Sequence, residues 1–309
     1  MVYLITGGAG FIGSNIVEEL LKRGEKVRVL DNFSTGKREN ILPFLDRIEL
    51  IEGDIRSYHI VREAVDGVDF VLHQAALPSV PRSIKDPITT NEVNVGGTLN
   101  ILNAALDAGV KRVVYASSSS IYGNSEVLPK REDMTPNPMS PYAVSKLAGE
   151  KYCRVFSEIY GLETVCLRYF NVFGPRQDPN SQYSAVIPKF IAAMKKGERP
   201  TIYGDGKQSR DFTYVANVVV ANLLVCQVNH GIGEIFNIAC GERHSLINLI
   251  NNLNEVLGVH VEPSFAEARK GDIRHSMADI SKAQKMLGYS PFVNFEEGLR
   301  KTCCYRIYG

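Results

Sequence analysis

The glycine-rich stretch at residues 4–14, LITGGAGFIGS, constrains the fold more than any other part of the chain. A short apolar run precedes it, as expected for a buried strand, and an amphipathic segment follows it. Gly8, Gly10 and Gly13 match G-x-G-x-x-G, which lets a backbone turn from strand to helix close to a phosphate. A pyrophosphate can rest on the free N–H groups of a helix N-terminus only where no Cβ intervenes. The stretch therefore predicts a dinucleotide site.

An acidic residue completes this fingerprint. A second strand is predicted at residues 26–30, and Asp31 follows it, about 20 residues after the glycines as the fingerprint requires. A carboxylate at this place accepts hydrogen bonds from a ribose diol and repels a 2′-phosphate, so NAD is favoured over NADP. A glycine-rich turn without a ligand is the alternative, and the presence of both halves of the fingerprint disfavours it.

Strand-like and helix-like segments alternate along the first half of the chain with short connections. This alternation predicts an α/β fold with a doubly wound parallel (Rossmann) sheet, in which ligands bind at the carboxyl ends of the strands. Gly53-Asp54-Ile55 and Gln74-Ala75-Ala76 follow predicted strands and fall at that edge. Asp54 could meet an adenine amine or could only cap the helix predicted at residues 57–65, and spacing leaves both open.

The alternation fails after Asn171, where turn-forming residues accumulate. We therefore expect a smaller C-terminal substrate-binding lobe, built from separated pieces. The predicted division assigns residues 1–170 and about 211–239 to the NAD-binding domain. It assigns about 171–210 and 240–309 to the smaller lobe.

Composition excludes several classes of partner. The chain has 35 basic and 34 acidic residues among its 309, a net charge of +1 without blocks of like charge, so neither nucleic acid nor an anionic membrane is expected. No apolar run approaches the ~20 residues that span a bilayer, and no signal-peptide pattern opens the chain. The six cysteines lack metal-ligand spacing, which predicts no metal site and a reducing, cytoplasmic location.

Tyr142 and Lys146 form the candidate catalytic pair. They stand four residues apart in a predicted helix that Pro141 opens, so their side chains share one face. The ordinary pKa of tyrosine, about 10, makes it a poor base at neutral pH. A nearby ammonium and the positive nicotinamide of NAD are expected to lower that pKa. The phenolate could then take a proton from a sugar hydroxyl, and the serines at 117–120 could hydrogen-bond the same hydroxyl.

With these residues the chain resembles the extended short-chain dehydrogenase/reductase family, in its UDP-hexose 4-epimerase group. The resemblance covers essentially the whole chain. Its motifs are TGGAGFIGS (6–14), DN (31–32), GDI (53–55), HQAA (73–76), SSSSIYG (117–123), SPYAVSK (140–146), LRYFNVFGPRQDPN (167–180), GDGKQSRDF (204–212) and GDIRHSMAD (271–279).

The resemblance implies an isomerase that uses tightly bound NAD as a catalytic cofactor. Hydride would leave C4 of the sugar, the 4-keto sugar would turn over, and hydride would return to its other face. Tyr142 would be the base, Lys146 its pKa-lowering partner and Ser118 the hydroxyl that orients the sugar. The implied cofactor contacts are Gly7, Gly10, Phe11, Ile12, Asp31, Asn32, Ser34, Thr35, Gly36, Asp54, Ile55, Gln74, Ala75, Ala76, Tyr142, Lys146 and Tyr169.

The resemblance also implies a UDP-sugar substrate. Asn171, Arg210 and Arg269 fall where the family binds UDP, and Ser276 falls where a residue gates the sugar pocket. A small gate leaves room for a 2-N-acetyl group, so the chain is most similar to UDP-N-acetylglucosamine 4-epimerases, which interconvert UDP-GlcNAc and UDP-GalNAc. UDP-Glc and UDP-Gal are expected as further substrates. The implied substrate contacts are Ser79, Ser118, Ser119, Asn171, Gln177, Ala185, Val186, Tyr203, Arg210, Arg269 and Ser276.

Three other interpretations stay open. A UDP-glucuronate 4-epimerase would need a cradle for the substrate carboxylate, and Arg176 or Arg82 could supply it. Nucleotide-sugar dehydratases carry acidic residues where this chain has Ser119 and Ser120, and UDP-glucuronate decarboxylases usually carry a glutamate where it has Ser120, which disfavours both. An NAD-binding regulator without activity would need neither Tyr142 nor Lys146.

Members of the family usually dimerise through two helices of each subunit. The helices predicted at residues 91–108 and 145–160 are therefore the candidates for a homodimer interface.

Overall fold

The computed structural model describes residues 1–179, 185–268 and 273–305. The strands are β1 (Val2–Thr6), β2 (Lys26–Asp31), β3 (Ile48–Glu52), β4 (Phe70–His73), β5 (Arg112–Ser118), β6 (Glu163–Tyr169), β7 (Val172–Phe173), β8 (Thr201–Tyr203), β9 (Ser209–Arg210), β10 (Thr213–Tyr214), β11 (Ile235–Ile238), β12 (His244–Ser245) and β13 (Ser264–Ala266). The helices are α1 (Phe11–Lys22), α2 (Tyr58–Val65), α3 (Val80–Lys85), α4 (Pro87–Asn91), α5 (Gly97–Asp107), α6 (Pro141–Tyr160), α7 (Val186–Lys195), α8 (Val215–Gln227), α9 (Leu246–Leu257), α10 (Ser281–Leu287) and α11 (Phe295–Cys303).

Within the described residues, seven strands form one sheet in the order β11-β6-β5-β4-β1-β2-β3. Every neighbouring pair in this sheet is parallel. The strand order reverses between β1 and β4, and this reversal opens a crevice at the carboxyl edge. The predicted doubly wound parallel α/β fold is therefore confirmed.

The central strands are apolar on both faces because helices cover both. Leu4 and Ile5 are neighbours on β1, yet they belong to opposite core layers, as successive side chains of a strand must. Helices α1 and α8 cover one face, and α2, α5 and α6 cover the other. The crevice therefore lies above a sheet that is held rigidly from both sides.

Helix α6 has clear signals at both ends. Ser140 Oγ accepts a hydrogen bond from the Ala143 N–H at 3.2 Å, and Pro141 occupies the first helical position. Gly161 ends the helix with a positive φ of 74°, which glycine adopts without strain. Tyr142, Lys146 and Glu150 therefore follow one another along a single helical face.

The helix predicted at residues 91–108 is confirmed, and it contains one π-helical turn near its start. Glu92–Gly96 form a π-helical turn before α5 begins at Gly97. Asn94, in this turn, accepts the Leu77 N–H at 2.7 Å and donates to the Leu77 carbonyl at 3.3 Å. The wider turn aims Asn94 at the β4 loop, and π-helical turns of this kind recur at functional sites.

The smaller lobe is built from short strand pairs around α7, α9 and α11, next to the carboxyl edge of the large sheet. β9 pairs with β12, and β8 pairs with β13. Residues 209–214 are largely extended, and helix α8 begins directly after them at Val215. Among the described residues, no helix combines the length and apolar character that a membrane span requires.

Candidate functional site

A cavity of about 880 Å³ lies along the carboxyl edge of the sheet, beside the N-terminus of α1. The structure brings every residue that was expected to contact the cofactor to the lining of this cavity. These residues are Gly7, Gly10, Phe11, Ile12, Asp31, Asn32, Ser34, Thr35, Gly36, Asp54, Ile55, Gln74, Ala75, Ala76, Tyr142, Lys146 and Tyr169. Their individual contacts with a cofactor stay predictions.

The glycines make room for this cavity. A Cβ on Gly13 would lie 2.2 Å from the Gly7 carbonyl oxygen, so α1 could not begin where it does. Gly7 has a φ of +70°, and a Cβ there would lie 2.8 Å from the Ala75 backbone. Gly10 caps α1 without a side-chain hydrogen bond, which leaves the first N–H groups of the helix facing the cavity. These features fit the diphosphate of a dinucleotide.

Two carboxylates, Asp31 and Asp54, line the large cavity. Asp31 is buried and accepts the N–H groups of Ala9 at 2.9 Å and Phe33 at 2.8 Å. Burial raises the pKa of Asp31, and these two N–H groups oppose the rise. Asp54 accepts from the Arg56 N–H at 2.8 Å and pairs with the Arg56 guanidinium, so it forms a turn instead of capping α2, whose cap position is Ser57.

The catalytic candidates meet where β5 ends against α6. Tyr142 lines both the large cavity and a second one of about 350 Å³, and Ser118 lines the second. Lys146 is buried, and its Nζ donates to the Ala116 carbonyl of β5 at 2.8 Å and lies 5.0 Å from the centre of the Tyr115 ring. The phenol of Tyr142 therefore lies where the two cavities meet, with the Lys146 ammonium on the side of the large cavity and the Ser118 hydroxyl on the side of the second.

In the chain by itself, burial decides the direction of the Tyr142 pKa, and the lowering expected from Lys146 together with bound NAD stays a prediction. Burial raises the pKa of Tyr142, and the hydrogen bond with Ser118 opposes the rise. Burial also lowers the pKa of Lys146 to about 8, although Cys153 and Glu150 favour its charged form. The reason is that the same packing that excludes water from the pair penalises the charge on each member.

A buried ion pair fixes the ends of β5 and β6 against α6. Glu150 accepts from Arg168 Nε and Nη2, both at 2.8 Å, and from Ser117 Oγ at 2.6 Å. The Arg168 guanidinium lies 4.8 Å from the centre of the Tyr122 ring. Ser117 directly precedes Ser118, so this pair holds the serine run in register with the catalytic helix.

Asn94 and His73 are residues that the sequence analysis missed. Asn94 Nδ2 donates to Ser145 Oγ at 3.0 Å, and Ser145 lies between Tyr142 and Lys146 in α6. His73 bridges Thr6 and Thr98 through its two ring nitrogens, at 2.7 and 3.0 Å. Burial, with the nearby Lys146 charge, lowers the pKa of His73 to about 3, so this histidine is neutral. The π-helical turn that aims Asn94 has no local sequence signal.

The residues expected to bind substrate lie around three adjoining cavities. Ser118, Ser119, Asn171, Arg210 and Ser276 line the second cavity. Asn171 and Arg210 also line a third cavity of about 310 Å³, together with Ala185, Val186 and Tyr203. Ser79, Gln177 and Ala185 line the large cavity, and Arg269 lies outside the described residues.

Two further lining residues have no motif that would have revealed them. Lys85 of α3 reaches the large cavity, and Leu246 of α9 reaches the third. They come from separate elements, and only the packing of the chain brings them to the site.

Arg176 does not face the sugar pocket, so its expected role as a carboxylate cradle is wrong. Its Nη2 pairs with Glu18 at 2.7 Å and with Asn15 Oδ1 at 2.8 Å, both on α1. It is also buried, and its φ of +68° is uncommon for a residue with a side chain. The backbone turns Arg176 toward α1, where it fastens the loop after β7 over the start of that helix. Arg82 still lines the large cavity.

The sequence and the architecture both have close counterparts among known proteins. Residues 3–239 match the profile of the NAD dependent epimerase/dehydratase family. The UDP-glucose 4-epimerase of Mycolicibacterium smegmatis is 38% identical over 303 residues, covering 97% of this chain and 96% of that protein.

Two solved structures are similar over nearly their whole length. The UDP-N-acetylglucosamine 4-epimerase of Methanobrevibacter ruminantium, solved with UDP-N-acetylmuramic acid, is 41% identical with a TM-score of 0.94, covering 99% of this chain and 97% of its own. The UDP-glucose 4-epimerase of Thermus thermophilus, solved with NAD, is 40% identical with a TM-score of 0.89, covering 98% of both chains.

Proposed function

Because the chain belongs to the NAD-dependent epimerase/dehydratase family and is an NAD-using UDP-sugar 4-epimerase, we propose that it interconverts UDP-GlcNAc and UDP-GalNAc. UDP-Glc and UDP-Gal are further proposed substrates. The observation that carries the proposal is Ser276, a small side chain in the same cavity as Tyr142 and Ser118. A small residue at this wall leaves space beside the sugar for a 2-N-acetyl group.

The chain's own groups account for the proton chemistry at C4. Tyr142 Oη is placed to take the proton of the sugar 4-hydroxyl and to return it after the sugar has turned over. Ser118, which lines the second cavity together with Tyr142, would orient that hydroxyl. NAD, when bound, supplies the hydride acceptor and donor, and its positive charge beside the phenol favours the phenolate. Lys146 adds a second positive charge while it remains protonated.

The nucleotide is proposed to stay anchored while the sugar turns over. Arg210 lines both substrate cavities, and its planar guanidinium suits a diphosphate. Val186, Tyr203 and Phe212 line the third cavity, which offers apolar contact for the uracil ring. We propose that residues 171–210 and 240–309 supply most of this anchoring, and residues 1–170 and 211–239 most of the NAD contacts.

The direct test incubates the purified enzyme, without added cofactor, with UDP-GlcNAc, UDP-glucose or UDP-glucuronate and follows products by proton NMR. We expect UDP-GalNAc from UDP-GlcNAc, and no 4-keto or decarboxylated product. Ser276→Tyr should abolish turnover of UDP-GlcNAc and keep turnover of UDP-glucose, because the phenol ring fills the space of the acetyl group. Turnover of UDP-glucuronate alone would overturn the proposed substrate.

A homodimer is proposed through the exposed face of α6. Val144, Ala148, Tyr152, Val155 and Ile159 form a stripe at helical spacing, and four of them are large apolar side chains in contact with solvent. Ile84 of α3 and Ile88 of α4, whose helices pack against α6, are also exposed. We call these seven residues the α6 face. No described residue of α5 is both large, apolar and exposed, so α5 is a weaker candidate for the interface than was expected.

A further inference from the structure

Asp211 is a fully buried carboxylate between two residues that line the substrate cavities. Arg210 before it lines the second and third cavities, and Phe212 after it lines the third. Successive side chains of extended backbone point to opposite sides, so Asp211 points away from the cavities. Its side chain is 0% exposed. A buried charge at this position requires a structural reason.

Three backbone N–H groups converge on this carboxylate. Oδ1 accepts from Cys240 at 2.9 Å, and Oδ2 accepts from Gly241 at 3.0 Å and Ala278 at 3.2 Å. Cys240 and Gly241 follow β11, the edge strand of the large sheet. Ala278 belongs to residues 273–279, which we call the strap. Asp211 therefore joins the sheet edge and the strap to the backbone that carries Arg210.

The environment of Asp211 explains how the charge is tolerated. Burial raises the pKa of Asp211 to about 7, while the N–H groups of Cys240, Ala278 and Gly241 favour the ionised form. The negative charge of Glu242 adds to the rise. The ionised carboxylate has two acceptor oxygens, which together accept all three N–H groups.

The strap passes between β9 and Lys130 and delivers residues to the second cavity. Its Ser276 N–H donates to the Ser209 carbonyl at 3.0 Å, and Lys130 N–H donates to the Met277 carbonyl at 2.8 Å. Arg210 Nη1 donates to the Arg274 carbonyl at 3.4 Å, so the guanidinium itself contacts the strap. Ile273 and Ser276 of the strap line the cavity with Arg210. The position of the strap therefore sets both the diphosphate site and the sugar wall.

We propose that Asp211 is a positioning residue for the substrate: its carboxylate locks the strap onto β9 and the sheet edge. Arg210, Ile273 and Ser276 are thereby held in their binding positions before the nucleotide sugar arrives. The identity of the ligand rests on the proposed function, and the role of Asp211 rests on the contacts above. An asparagine could not replace it, because one amide oxygen cannot accept three N–H groups and the amide NH₂ would face a donor.

The test is Asp211→Asn, with UDP binding measured by isothermal titration calorimetry at pH 8. The variant leaves a buried N–H group without an acceptor, so the strap is held less firmly in its binding position. We therefore expect a dissociation constant for UDP about tenfold higher than that of the wild type. The number of sites should stay near one per chain, and kcat at saturating UDP-sugar should change little. The matched control is Asp205→Asn, which removes an exposed ion pair between Asp205 and the strap residue Arg274. That control should leave UDP affinity unchanged.

Two results would overturn the proposal. One is an unchanged UDP dissociation constant in Asp211→Asn, even if the number of competent sites falls, because that pattern indicates general destabilisation. The other is a fall in kcat with UDP affinity retained. Wild-type protein that binds UDP but turns over no UDP-hexose would refute the proposed function and leave this test intact.

A measurement on the wild-type protein covers the case in which Asp211→Asn fails to fold. Hydrogen–deuterium exchange is followed for residues 273–279 and 240–241, with and without UDP. Occupation of the Arg210 site should slow exchange of both segments, since Asp211 couples them. Exchange that UDP does not change in either segment would contradict the coupling.

Discussion

Tyr142 is the residue on which the proposed chemistry depends most directly. Tyr142→Phe removes the group that exchanges the proton and keeps the ring that packs in the site. Turnover should fall by about 10²–10⁴-fold, the usual contribution of general acid–base catalysis, with bound NAD unchanged. The measurements are kcat by product NMR and NAD released on denaturation. Tyr160→Phe, at the exposed end of the same helix, is the control. Full activity in Tyr142→Phe would exclude Tyr142 as the base.

The lowered pKa of Lys146 predicts how kcat responds to alkaline pH. Its pKa is lowered by burial to about 8, so the protonated fraction falls as the pH rises through that value. Neutral lysine cannot stabilise the phenolate, and kcat should therefore decline between about pH 8 and 9.5. The profile of kcat against pH at saturating substrate is the measurement. A kcat that is constant or rising to pH 9.5 would show that the charge on Lys146 is not needed.

Unfolding linked to the titration of Lys146 would not produce the same decline in kcat. The pKa of Lys146 is lower in the folded than in the unfolded chain, so the unfolded chain binds more protons between about pH 8 and 10.5. This group alone makes the free energy of unfolding rise with pH across that window. Thermal unfolding measured at the same pH values separates the two effects.

A substitution in helix α1 tests the predicted dinucleotide site. Gly13→Ala would place a Cβ 2.2 Å from the Gly7 carbonyl oxygen, so α1 must move away from the glycine turn. We expect loss of bound NAD and about 1–3 kcal/mol lower stability, as overpacking usually costs. Gly96→Ala is the matched control, since beyond its own helical turn and chain neighbours nothing lies within 4 Å of the added Cβ. NAD content and melting temperature are measured for both, and normal NAD in Gly13→Ala would contradict the fit.

The loop after β7 is a second element with consequences for the site. Arg176 in this loop has a positive φ of 68°, as Asn171 directly before β7 has one of 31°, and non-glycine residues seldom adopt such values. Such backbone persists where surrounding contacts hold it, here the partly buried pairing of Arg176 with Glu18. Gln177 and Asp178 of the same loop line the large cavity. The loop therefore connects the wall of that cavity to helix α1.

At the scale of the molecule, the α6 face predicts self-association. Ile159 is 71% exposed on that face, and Ile159→Glu would bury a charge in the proposed interface. Light scattering after size exclusion should show a dimer for the wild type. The Ile159→Glu dimer should dissociate at protein concentrations at least about tenfold higher than those at which the wild-type dimer dissociates. Lys285→Glu on α10, outside the face, is the control. A wild-type monomer at every concentration would refute the dimer.

Local patterns in the sequence determined the fold class, the cofactor and the coarse activity of this protein. The glycine spacing, Asp31 and the Tyr142–Lys146 pair each act within one or two neighbouring elements, where backbone sterics and helical periodicity fix geometry directly. The confirmed parallel sheet follows from such patterns, whereas the UDP-sugar 4-epimerase activity was implied by the resemblance of the motifs along the chain to a known family. The 17 expected cofactor contacts could be brought to one cavity because parallel strands end at one edge.

Only the tertiary structure decided the features that depend on packing between distant segments. Arg176 turns to α1 because a partner 158 residues away in sequence accepts its hydrogen bonds. The Tyr142 pKa rises because burial, which no local motif reports, outweighs its favourable hydrogen bond. Asn94 and Asp211 become positioning candidates through backbone groups of other segments. Sequence spacing encodes contacts along one element, whereas desolvation and long-range hydrogen bonds exist only after the chain has packed.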